Sequence, residues 1–126
     1  MKTKSLGLAW IVVKDFKKAV KFYTEVVGLQ LKEMHEEWGW AELGGHDSNG
    51  ALLGIAVENP QAQSPIGPGQ NAVLTFTVAN LETAIAEMKK QKASIIGNEE
   101  VIPGHVKMQT VKDADGNIFQ MVELLT

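Results

Sequence analysis

One stretch of this chain is written twice. In "WIVVKDFKKAVKFY" a β-branched run leads into an amphipathic helical pattern, and "LTFTVANLETAIAEM" makes the same change of period in the second half. Val13 corresponds to Val78, Asp15 to Asn80, Phe16 to Leu81 and Ala19 to Ala84, each pair 65 positions apart, as 15 is from 80. Such an offset constrains the chain to two copies of one supersecondary unit. At 126 residues, both copies fit within one domain.

Each copy reads as βαβββ. Residues 6–13 form an apolar strand, Asp15 caps a helix carrying the stripe Phe16, Ala19, Val20, Tyr23, Val26 and Val27, and Gly28 ends it. Strands follow at "LQLKEM", at "WGWAEL" from Trp38 and at "ALLGIAV" from Ala51. "NPQAQSPIGPGQ" has no periodic apolar face and reads as a connector. Beyond it come the strand "NAVLTFTV", a helix from the Asn80 cap to about Lys92, a short strand "ASII", a strand "HVKMQTV", the "DADGN" turn and the strand "IFQMVELL". The expected organisation is one domain over 1–126, with module one at 5–58, linker at 59–70 and module two at 71–126.

Charge and composition narrow the function. Twelve Lys and Arg against 15 Asp and Glu leave a net charge of −3, which does not draw a phosphate backbone, so no nucleic-acid partner is expected. The absence of cysteine removes disulfides, thiolate metal sites and cysteine nucleophiles, and fits a cytoplasmic location. Lys14 and Asp15 interrupt the N-terminal apolar run, so no membrane association is expected. His35, His46 and His105 each sit at a strand end or turn and read as solvent-facing rather than as ligands. "DADGN" reads as a hairpin turn and not as a calcium loop, since no glutamate follows at the required distance.

"VKDFKKAVKFYTEVVGLQL" and "DADGNIFQMVEL" together resemble the opening and closing signatures of the vicinal oxygen chelate superfamily, which includes glyoxalase I, extradiol dioxygenases and the bleomycin- and fosfomycin-resistance proteins. The resemblance covers almost the whole chain. It implies an α+β fold of two tandem βαβββ modules, each a half-barrel sheet with its helix outside, and a homodimer. It also implies where a metal would be held: the positions that carry His, Glu or Gln in metal-dependent members fall on Leu8, Gly54, Val73 and Gln120. Of these only the Gln120 amide can donate a lone pair, too little to retain a divalent ion. No metal or other cofactor is expected.

Strand alternation then indicates what lines each cup. Trp10 and Val12 share the face of Leu8, Ala56 and Glu58 that of Gly54, Thr75 that of Val73, and Trp38, Trp40 and Glu42 one face of the third strand. Trp10, Trp38, Trp40, Glu42, Thr75 and Gln120 are the candidate ligand-binding residues, suited to a planar or cationic small molecule in an aromatic-lined cup. This points to a metal-free sequestration or resistance protein. Two other readings remain: an enzyme of this fold using Glu42 or Glu58 as a carboxylate acid or base in place of the metal, and an accessory module whose cup is closed.

Overall fold

The structure, a computed structural model, describes residues 2, 7–47, 50–61, 67–70 and 74–125. The chain divides into two compact units, Met1–Asn71 and Ala72–Thr126.

In the first unit β1 (Leu8–Val13) leads into α1 (Phe16–Lys21), followed by β2 (Gln30–His35), β3 (Trp40–Gly44) and β4 (Leu52–Val57). The sheet order is β1-β4-β3-β2, with β1 parallel to β4 and the other neighbours antiparallel. Asp15 is the expected cap, its Oδ1 accepting the Lys18 amide at 3.1 Å. Phe16, Ala19 and Val20 of α1 are buried, and so are Ile11, Val13, Ala41, Leu43, Leu53 and Ile55, all of one sheet parity. That is the helix-side core, and hydrophobic burial there is the main force holding the unit together. Leu8, Trp10, Gly54, Ala56, Trp40 and Glu42 occupy the opposite face.

The helix is less regular than its apolar stripe predicts. After Lys21 it widens into a π-helical turn, Phe22–Val26, with the Val27 amide donating to the Phe22 carbonyl at 3.1 Å. The Thr24 hydroxyl donates to the Val20 and Lys21 carbonyls at 2.8 and 3.2 Å, a side-chain competitor inside the helical ladder at the step where the turn opens. Tyr23 stays buried, whereas Val26 and Val27 are only half-buried.

The second unit repeats the plan. β5 (Leu74–Thr77), α2 (Leu81–Lys90), β6 (Ser94–Ile102), β7 (Val106–Lys112) and β8 (Ile118–Leu124) give a sheet ordered β5-β8-β7-β6, again with its first pair parallel. Asn80 caps α2 by accepting the Thr83 amide at 2.8 Å, and Glu123 Oε1 accepts the Leu81 amide at 2.7 Å, so the end of β8 helps cap the start of the helix. Phe76 meets Phe119 edge-on at 5.4 Å in the helix-side core, beside buried Leu81, Met88, Val111 and Met121.

Two boundaries differ from expectation. The helix ends at Lys90, and Lys92 already has a left-handed φ of 61°. β6 runs far beyond "ASII", because buried Gln109 donates its amide to the Ile96 and Gly97 carbonyls and so holds a bulge through which the polar "GNEE" continues as strand. Among the described residues no helix is long and apolar enough to cross a membrane.

Candidate functional site

The candidate residues are best followed from β4 outward. Gly54 pairs with Trp10 on one side and with Glu42 on the other, while Trp40 stands opposite Ala56 one step along. Alternation therefore brings Trp10, Gly54, Glu42 and Trp40 onto one face. The two indoles meet edge-on with centroids 6.3 Å apart at an interplanar angle of 63°. Trp40 Nε1 donates to Glu42 Oε2 at 3.0 Å, which fixes the ring and places a carboxylate beside it. Trp10 is 39% exposed, and Trp40 and Glu42 are half-buried.

Gly54 has a meaning that its lack of a donor did not reveal. A β-carbon there would lie 2.9 Å from Trp40 Cζ2 and 2.8 Å from Trp10 Cβ, with Trp40 Cη2 nearer still. The Trp40 ring occupies the space into which any side chain at this position would project. Glycine is what allows the indole to approach β4 this closely.

Trp38 stands elsewhere, which corrects the expectation that it shares a face with Trp40 and Glu42. Glu36–Trp38 is a 3-10 turn, and Gly39 has φ 64° and ψ 44°, a left-handed conformation that glycine adopts without steric cost. β3 therefore begins only at Trp40. The Gly39 carbonyl accepts the Val57 amide at 2.8 Å, and a β-carbon at Gly39 would lie 2.8 Å from Val57 Cβ, so the turn is closely seated. Trp38 is 68% exposed and stacks on His35, centroids 4.2 Å apart and 20° from parallel. The tryptophans thus divide into a pair and a single ring.

Glu58 lies past the end of β4, exposed, with its amide donating to the Val13 carbonyl at 2.8 Å; it is not one of the groups around Gly54. In the second unit Thr75 pairs with Gln120, and Gln120 with Thr110, so the two candidate polar residues are neighbours on the face turned away from α2. Val73 lies outside the described residues. His46 and His105 are exposed, with His46 Nε2 donating to the Gly28 carbonyl at 2.9 Å. His35 is half-buried between Glu33 Oε1 at 3.5 Å and Glu37 Oε1 at 3.8 Å.

A divalent ion of the kind used by metal-dependent proteins of such folds does not fit the first unit. Leu8 has no lone pair, and the space in front of Gly54 belongs to an indole. Among the described residues, no three His, Asp or Glu side chains converge as metal ligands. The first unit instead presents an edge-on pair of indoles with one carboxylate beside them, which can stack a ring and neutralise a cation.

Two βαβββ units with this strand order define a paired-module α+β protein. The sequence model of the Glyoxalase/Bleomycin resistance protein/Dioxygenase superfamily matches residues 5–121, and the chain belongs to that superfamily. It is 26% identical over 123 residues to the uncharacterized protein YetH of Bacillus subtilis, spanning 95% of this chain and 98% of that protein. A member of the same superfamily from Sphaerobacter thermophilus is similar in structure, with a TM-score of 0.78 at 17% identity over 96% of this chain and 98% of the other. A putative glyoxalase family protein from Bacillus anthracis gives a TM-score of 0.71 at 21% identity, covering 98% and 99% of the two chains. TioX from Micromonospora gives 0.71 at 17% identity, covering 96% and 99%. At such identities what these structures share with the chain is the fold.

Proposed function

We propose that this protein binds a small planar cation on the Trp10–Trp40 face of its first unit, without a metal, as a sequestration or resistance protein would, and that it does so as a cytoplasmic homodimer. The observation that carries the reading is the Trp40 indole, lying across Gly54 and hydrogen-bonded to Glu42 at 3.0 Å. A ring held in this way loses little rotational freedom when a ligand stacks on it, so more of the contact energy appears as affinity. Glu42 has lone pairs beyond the one that accepts the indole N–H, and can pair with a cationic centre at the edge of the stacked ligand.

Titrating intrinsic tryptophan fluorescence with N-methylquinolinium, in buffer containing a chelator, tests this directly. Saturable quenching is expected. Glu42→Gln keeps the shape of the side chain while removing its charge, and should weaken binding about tenfold. Trp38→Leu should leave the affinity unchanged. Quenching that requires added divalent metal, or that is indifferent to Glu42→Gln, would overturn the reading.

A further inference from the structure

The exposed tryptophan borders a second concavity, built from three segments of the first unit. An open cleft of about 580 Å³ lies between the start of α1, the 3-10 turn and the end of β4. Its residues include neither Trp10, Trp40, Gly54 nor Glu42, and Val57, which it does include, has the helix-side parity of Leu53 and Ile55. It is therefore separate from the aromatic face described above. The volume falls within the range of roughly 300–1,000 Å³ typical of small-molecule sites.

Three features give the cleft a chemical preference. Phe16 and Val57 supply apolar wall, and Trp38 adds an indole that the His35 stack holds in a defined orientation at 4.2 Å. A tryptophan that is 68% exposed yet fixed by a neighbouring ring presents π-surface to solvent at little conformational cost. The third feature is charge. Lys17 and Glu36 bridge at 2.9 Å and largely cancel, and the Glu36 carboxylate, through that hydrogen bond and its charge, holds the Lys17 ammonium above its usual pKa. Among the remaining groups Asp15 and Glu37 outnumber Lys14, and Glu33 adds a further carboxylate at His35.

We propose that this cleft binds an alkylated ammonium ion, its methyl groups against Phe16 and Val57, its charge shared between the Trp38 ring face and the Glu37 carboxylate. An alkylated cation suits the site better than a primary ammonium, because its weaker hydration is cheaper to remove and its attraction to an indole face survives that loss. An anion is disfavoured. The helix beginning here has only six residues, and one of its first-turn amides, that of Lys18, already donates to Asp15.

The test is ¹⁵N–¹H NMR of the intact protein, whose three tryptophans give three indole signals that substitution assigns. Titration with tetramethylammonium should shift the Trp38 signal saturably and leave those of Trp10 and Trp40 in place, while the neutral isostere neopentyl alcohol should shift it far less. Glu37→Gln should weaken the tetramethylammonium response about threefold. A linear, non-saturating shift, an equal response to the neutral isostere, or an unchanged response in Glu37→Gln would overturn the proposal. Because the signals are resolved by residue, failure at Trp38 is distinguishable from failure at the Trp10–Trp40 face.

Discussion

Gly54→Ala is expected to lower the stability of the protein by about 1–3 kcal/mol, the usual cost of overpacking a filled site. The direction is informative. Glycine inside a strand is normally a weakness, and replacing it with alanine gains about 0.4–1 kcal/mol when the backbone tolerates the change. Gly54 carries no left-handed φ that would oppose the substitution. What opposes it is space: the new methyl would lie 2.9 Å from Trp40 Cζ2 and 2.8 Å from Trp10 Cβ. The indole edge can swing away at the cost of its bond to Glu42, but Trp10 Cβ is tied to the backbone of β1 and can move only with the strand. In a Trp40→Ala background, Gly54→Ala should accordingly cost less than it does in the wild type, though still more than nothing. Denaturant midpoints at constant m-value measure both effects. A neutral or stabilising Gly54→Ala would mean that the ring does not rest across β4.

The largest loss of stability from a single polar side chain is expected at Asp113. This buried carboxylate accepts the Asp115 amide at 2.9 Å, the Asn117 amide at 2.8 Å and the Asn117 side-chain amide at 2.9 Å, while its own amide donates to the Asn117 carbonyl at 3.0 Å. Asp113→Ala deprives three donors of their acceptor at once, with the Asn117 groups buried away from water, and should cost about 2–4 kcal/mol. Asp113→Asn keeps the shape but turns an NH2 toward other donors, and should recover only part of the loss. The turn feeds directly into β8, so its loosening should also speed amide exchange at Phe119 and Met121. A cost below about 0.5 kcal/mol in urea unfolding would show that the carboxylate contributes nothing net.

What could be read from the sequence follows from how local each signal is. The caps Asp15 and Asn80 were legible because a cap needs only its own helix's first turn. The pairing of Trp10, Trp40 and Glu42 on one face was legible because strand parity survives any sheet curvature. The place of Trp38 was hidden because it turns on the backbone of Gly39 alone, and "WGW" suits a strand as well as a left-handed break before one. The length of β6 was hidden for a different reason. "GNEE" is polar enough to look like loop, and only the amide of Gln109, distant in sequence, holds it as an edge strand. Gly54 showed that a donor was missing but not that an indole had taken the space. The outer cleft draws on residues 14–17, 36–39 and 57, segments that no periodicity links.

Elemental analysis of purified protein, paired with N-methylquinolinium titrations in chelator and in excess zinc, nickel, manganese or ferrous iron, bears most directly on whether recognition here is made by ring faces. Substoichiometric metal and a single dissociation constant across all conditions is the result expected of an indole lying where a ligand side chain would stand. One tightly held ion per chain, with binding lost on its removal, would contradict it.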